Sequence, residues 1–220
     1  MSARRLVLVR HGETVGNSRI RYYGRTDVPL SDEGRAQMRA AAKALTETLG
    51  IASFGRVFSS GLSRAREGAC IIAGAAAKIE DLEEFHEVDF GDFEGLTATE
   101  IVAKFPREFA RWERDRLAPD YVYPHGESRA HFAARVERGV ARMIDLLDNR
   151  DRRDNHLLAE RPSLLVAHRG VIRAIIRQLA SVDPVAELGS IQVLVSDSAP
   201  RWRTEQLDFV PHLTMSSPGG

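Results

Sequence analysis

The chain has 220 residues with 31 basic and 31 acidic side chains, so its formal charge is zero; 28 of the cations are arginine, and only Lys43, Lys78 and Lys104 are lysine. Cations interleaved with Asp and Glu, and no basic run, exclude a nucleic-acid binder that works by neutralising phosphates, and 43% apolar residues exclude disorder as the main description. The longest apolar stretch, residues 69–77, contains Gly74 and is far short of the roughly 20 residues of a membrane span.

Only four apolar residues separate Arg5 from Arg10, too few for a secretory signal, and the single Cys70 has no internal disulfide partner. Cys70 lies in the apolar stretch, which reads as a buried thiol in a reducing compartment; the cytoplasm is the expected location.

Leu6-Val7-Leu8-Val9 is a wholly apolar run, the pattern of a strand buried on both faces, and it stops at Arg10-His11-Gly12. Residues 33–49 form a periodic, alanine-rich helix stopped by Gly50. A second strand over residues 56–60 leads through Gly61-Leu62-Ser63-Arg64 into a helix to about Ala76. Residues 83–127, with Gly91, Gly95, Pro106, Pro119 and Pro124, read as a mobile stretch, and a long helix follows over residues 128–147. Residues 163–167 repeat the first theme, an apolar strand ending at His168-Arg169-Gly170 before a helix over residues 171–179. Residues 191–196 and 202–209 alternate as late strands. The expected fold is an α/β three-layer sandwich with a mostly parallel central sheet and helices on both faces. It occupies one domain over residues 1–210, and residues 211–220 form a loose tail.

In such sheets functional groups gather beyond the carboxyl ends of the strands. Arg10-His11, residues 59–64 and His168-Arg169 all occupy that position and can converge. Arg64 falls in the first helical turn, where the macrodipole disfavours a cation by ~0.3–1 kcal/mol; a nearby phosphate would reverse that cost, and Arg169 repeats the pattern. One histidine at a strand end can be a core side chain satisfied by a carbonyl, but two on equivalent ends point to chemistry. No metal site is expected, since His-Glu-x-x-His, a Cys pair and a dense carboxylate cluster are all missing. No nucleotide phosphate loop is present either, so side chains must hold the phosphate.

Leu8-Val9-Arg10-His11-Gly12-Glu13-Thr14, with Asn17 and the segment Gly24-Arg25-Thr26-Asp27-Val28-Pro29-Leu30-Ser31, resembles the opening of the histidine phosphatase (phosphoglycerate mutase-like) superfamily. Ser59-Ser60-Gly61-Leu62-Ser63-Arg64-Ala65 is similar to its second arginine segment, and Glu87-Val88-Asp89-Phe90-Gly91-Asp92-Phe93-Glu94-Gly95 to its acid-bearing segment. Gly126-Glu127-Ser128 and Val166-Ala167-His168-Arg169-Gly170 resemble its later blocks. The resemblance implies that His11 is the nucleophile that becomes phosphohistidine, that Arg10, Arg64 and His168 surround the phosphoryl group, and that Glu87 is the proton donor. Two arginines and a protonated His168 would then stabilise the transition state without a metal or another cofactor. Asn17, Tyr23, Gly24 and Arg169 are the expected substrate-binding residues.

Three departures from the family stand out: Gly16 where an aromatic is common, Gly68 where threonine is frequent, and Arg169 where a small residue is usual. Arg169 either takes a second anion or points away to pair with an acid, the second being slightly favoured. Glu87 closes an acidic run in which Glu83 and Glu84 are decoys.

The sequence thus reads as a histidine acid-type phosphatase acting on a small phosphate ester, with no nucleic-acid or membrane partner and with a homodimer left open. The alternatives are a cofactor-dependent phosphoglycerate mutase and a non-catalytic phosphate-binding module. Family mutases usually carry a longer basic insertion after the acid segment, whereas residues 96–125 here are compact and aromatic.

Overall fold

The computed structural model describes residues 4–150, 161–198 and 201–214. Its centre is a six-stranded sheet in the order β3-β2-β4-β1-β5-β6. The strands are β1 (Arg4–Arg10), β2 (Arg56–Ser59), β3 (Ile79–Asp81), β4 (Ser163–Ala167), β5 (Ile191–Ser198) and β6 (Arg201–Phe209). The first four run parallel, while β5 pairs antiparallel with β1 and β6 antiparallel with β5. β4, late in sequence, inserts between β1 and β2, pairing Arg10 with Ala167 and Ser59 with Val166. The carboxyl ends of all three strands therefore lie side by side.

The alternation along β1 divides the core in two. Leu6 and Leu8 pack with Phe58, Leu165, Val171, Ile172 and Ile175 on one face. Val7 and Val9 pack with Met38, Ala41, Ala65, Ala69, Leu164 and Val166 on the other. The second face is covered by α1 (Asp32–Glu47) and α2 (Ser63–Ala73), the first by α5 (Arg129–Arg150) and α6 (Arg169–Ala180). This is the three-layer α/β arrangement expected from strand and helix alternation.

Residues 83–127 are built, not loose. They contain 3₁₀ turns at Glu83–Phe85 and Gly91–Phe93, then α3 (Ala98–Lys104) and α4 (Pro106–Asp115). Thr97 and Glu100 form a reciprocal capping box at the start of α3, and Pro106 opens α4, a first-turn position that tolerates proline. The prolines and glycines that suggested mobility thus mark boundaries between short elements. Pro211–Thr214, at the start of the expected tail, is a short helix, α7; residues 215–220 lie outside the described residues. Cys70 is half-buried on the rim of α2 and not a fully buried thiol. Among the described residues no helix is long and apolar enough to cross a membrane.

Candidate active site

His11 follows β1, and its backbone N–H donates to the Ala167 carbonyl at 3.0 Å, fastening it to the end of β4. Its Nδ1 lies 2.7 Å from the Gly12 carbonyl oxygen. A carbonyl only accepts, so Nδ1 carries the proton and Nε2 keeps the lone pair. The His168 ring meets it edge-on, with centroids 5.1 Å apart. His168 Nε2 lies 2.8 Å from Ser60 Oγ at the end of β2, so all three strand ends contribute to one cluster.

Arg64 is fully buried, and its guanidinium donates to three backbone carbonyls: Thr26 at 2.9 Å, Gly24 at 2.7 Å and Tyr23 at 3.4 Å. Arg10 donates to the Ala186 carbonyl at 3.0 Å. Neither forms an ion pair among the described residues. Burial pushes both guanidiniums down, Arg10 to about 10 with Arg169 adding and Glu87 opposing, so both stay charged near neutral pH. The same cations act on the histidines. Burial, then Arg64 and Arg10, push His11 well below its ordinary value; burial, Arg64, His11, His86 and Arg10 do so for His168. Burial and the neighbouring cations thus push His168 toward the neutral imidazole, opposite in direction to the protonated form expected from the sequence around a phosphoryl group.

Three buried polar atoms in this cluster have no hydrogen-bond partner: Arg10 Nε, Arg64 Nε and His168 Nδ1. Each such atom costs ~1–3 kcal/mol. Two are N–H donors by necessity, and the third becomes one once Ser60 donates its hydroxyl proton to His168 Nε2. Two guanidiniums without a carboxylate partner, each with an unpartnered Nε–H, and the His168 ring nitrogen together suit a tetrahedral oxyanion.

Glu87 stands apart from its acidic run: it is buried at 7% exposure, while Glu84 pairs with Arg142 on the surface. Its Oε1 accepts from the Val88 N–H at 3.0 Å and Oε2 from the Gly170 N–H at 2.9 Å. Burial raises its carboxyl above the ordinary value, against the pull of those two N–H groups and of Arg10 and Arg64. Gly170 makes this approach available: a Cβ there would lie 2.5 Å from Glu87 Oε1.

A cavity of ≈ 570 Å³ opens over the cluster, lined by Arg10, His11, Tyr23, Glu87 and Arg169, with Tyr22, Phe90 and Trp112 as an aromatic wall. Tyr23 donates its hydroxyl to the Gly16 carbonyl at 3.2 Å, and a Cβ on residue 16 would sit 2.1 Å from that hydroxyl, so Gly16 leaves the room Tyr23 fills. Gly24 is buried beneath, serving Arg64 through its carbonyl. Asn17 is not brought to this cavity: it adopts a left-handed φ of 63°, is exposed, and lines a separate depression with Glu13, Asp32 and Glu33. Arg169 is exposed at the cavity edge, and its Nε donates to the Val185 carbonyl at 3.1 Å in place of the acid partner favoured from the sequence.

Several supporting residues escaped sequence reasoning. Arg135, 5% exposed, donates to the carbonyls of Glu84 and His86 at 2.8 and 2.9 Å and of Glu87 at 3.4 Å, and its fork grips the Glu127 carboxylate at 3.0 and 2.7 Å. The Glu94 carboxylate accepts from the N–H groups of Gly24, Arg25, Thr26 and Phe90, welding the Arg64-binding loop to the Glu87 segment. Asp27 caps α2 through the Ser63 N–H and hydroxyl. Asp208 accepts from the N–H groups of Val185 and Ala186, whose carbonyls hold Arg169 and Arg10. The glycine-rich surroundings of Glu94 and Glu127 were the available signal; Asp208 carried none.

Among the described residues no group of three or more His, Cys, Asp or Glu side chains stands ready to hold a metal ion.

The profile of the histidine phosphatase superfamily (branch 1) matches residues 6–197. Glucosyl-3-phosphoglycerate phosphatase of Mycobacterium tuberculosis is 36% identical over 188 residues, 84% of this chain and 79% of the relative. A 2,3-bisphosphoglycerate-dependent phosphoglycerate mutase of Gloeobacter violaceus is 34% identical over 185 residues, 81% of this chain and 77% of the relative. The solved native structure of mycobacterial glucosyl-3-phosphoglycerate phosphatase superposes with a TM-score of 0.73 at 31% identity, covering 94% of this chain and 99% of that one.

Proposed function

The chain belongs to the histidine phosphatase superfamily, branch 1, and on that premise we propose that it is a cytoplasmic, metal-independent phosphomonoester hydrolase of acid type. Its one domain, residues 1–210, acts on a small phosphorylated metabolite through a phosphohistidine on His11. The observation that carries this reading is the presence of three unpartnered buried atoms, on Arg10, Arg64 and His168, in the cluster that holds a histidine whose free lone pair is fixed by a carbonyl.

The lone pair of neutral His11 Nε2 attacks phosphorus; the N–P bond forms as the ester P–O bond breaks, and the proton of Glu87 goes to the departing oxygen. A depressed histidine pKa serves this step, because the attacking ring must be unprotonated. A raised carboxyl pKa serves it too, because the acid must arrive with its proton. The loose transition state spreads charge over three equatorial oxygens, where Arg10, Arg64 and the Nδ1–H of neutral His168 donate without reorganising. In the second step the Glu87 carboxylate takes a proton from water, the water oxygen bonds to phosphorus, and the N–P bond breaks to release phosphate and neutral His11.

Turnover of p-nitrophenyl phosphate in the presence of EDTA tests the reading. The hydrolase turns over and releases inorganic phosphate from 3-phosphoglycerate as well. A mutase returns 2-phosphoglycerate instead, and a non-catalytic module gives neither product.

A further inference from the structure

A second cavity, of ≈ 380 Å³, lies behind Glu87 and shares Glu87, Phe90 and Arg169 with the first. Its lining combines the apolar side chains of Leu117, Phe132, Ala133 and Ala174 with the guanidiniums of Arg129, Arg169, Arg173 and Arg177. Arg173 and Arg177 are neutralised in part by Asp183, which both of them grip. Arg129 and Arg169 have no carboxylate partner among the described residues. Each is the first residue of its helix, α5 and α6, and neither helix has an acid in its first turn. Two cations thus sit where the helix dipoles are already positive, beside apolar side chains, with Glu87 as the sole carboxylate among the described residues that line the cavity. Such an arrangement is unfavourable until an anion enters it.

We propose that this cavity is a leaving-group subsite for a second oxyanion, a carboxylate or phosphate, held by Arg129 and Arg169, so that the preferred substrates are phosphomonoesters with a second anionic group. The inference rests on the phosphatase reading above. Glu87 lies on the wall common to both cavities, so an ester oxygen protonated there carries its organic portion into one of them. The larger cavity receives the phosphoryl group over His11, and the smaller one offers an apolar surface followed by guanidinium forks. Arginine suits the role because its fork matches carboxylate and phosphate alike.

The test is kcat/KM on matched substrates: phenyl phosphate against 3-carboxyphenyl phosphate and 3-phosphonophenyl phosphate, and glycerol 3-phosphate against 3-phosphoglycerate. In at least one series the anionic member exceeds the neutral one by about tenfold or more, the scale of one charge-assisted hydrogen bond. The carboxylate and phosphonate arms show which oxyanion is preferred. In Arg129→Gln and Arg129→Gln/Arg169→Gln the ratio collapses toward one. Because the readout is a ratio within one preparation, partial misfolding lowers both terms and leaves it unmoved. A wild-type ratio near one in both series, or a ratio that survives the double variant, overturns the subsite while leaving the phosphatase reading intact. Failure to hydrolyse any of these esters overturns both.

Discussion

Replacing Arg135 by methionine removes the residue that joins the Glu87 segment to the start of α5. The guanidinium holds three backbone carbonyls, of Glu84, His86 and Glu87, and the Glu127 carboxylate, and both charged side chains are almost fully buried at 7% and 4% exposure. Removing one partner of a buried pair costs ~3–5 kcal/mol, because the other charge is left uncompensated. Here Glu127 keeps His131 Nδ1 at 2.8 Å and the Asp89 N–H at 3.4 Å, which holds the cost toward the lower end. At roughly 2–4 °C per kcal/mol for a chain of this size, the melting temperature falls by about 6–12 °C. Glu87 is also displaced, so kcat/KM for an alkyl phosphate falls further than for p-nitrophenyl phosphate, whose leaving group needs no proton. Urea unfolding and the alkyl-to-aryl ratio together check this, with Arg135→Lys as the comparison. Lysine restores charge beside Glu127 but cannot span three carbonyls, so it recovers stability better than it recovers the ratio. A stability loss below about 1 kcal/mol, or an unchanged ratio, refutes the positioning argument.

Gly170→Ala places a Cβ only 2.5 Å from Glu87 Oε1, which must shift, and is expected to cut alkyl phosphatase activity by about 10²-fold, the scale of an ångström's misplacement, with less effect on aryl esters. Glu87→Gln gives the same split in purer form, and equal loss on both substrates counts against the acid role. With alkyl esters, kcat/KM should fall on the alkaline side as Glu87 loses its proton, above an ordinary carboxyl's value because burial raises it; aryl esters should lack that limb. Stability should decline as pH drops below about 6.5, the ordinary histidine value: His11 and His168 are held lower in the fold, so the unfolded chain binds protons that the folded one refuses. His168→Asn should flatten that slope in a pH series of denaturation midpoints.

The parallel strands and their polar ends were legible because fully buried strands are written as unbroken apolar runs: Leu6 to Val9 and Leu164 to Ala167 are all at 0% exposure. Arg10, His11, Arg64 and His168 followed directly, since each lies within a few residues of such a run. What lay between 83 and 127 was misread because short capped helices and 3₁₀ turns leave no long periodicity, only the prolines and glycines that bound them. The downward push on His168 was illegible for a different reason. A charge state depends on which cations surround the ring in space, and Arg64 and Arg10 are more than a hundred residues away in the chain. Asn17 matched a motif, yet it lines a separate depression with Glu13, Asp32 and Glu33. Arg135 and Asp208 act through carbonyls and N–H groups of distant loops, which no local pattern encodes.

The central claim is the covalent bond to His11, and trapping it is the most direct measurement. The enzyme is mixed with p-nitrophenyl phosphate, quenched in alkali, digested and examined by mass spectrometry. The account predicts one phosphoryl group, stable to alkali and lost in acid, on the peptide containing His11, and its disappearance in His11→Ala. An unmodified His11 peptide from enzyme caught during turnover, or a phosphoryl group on any other residue, would contradict it.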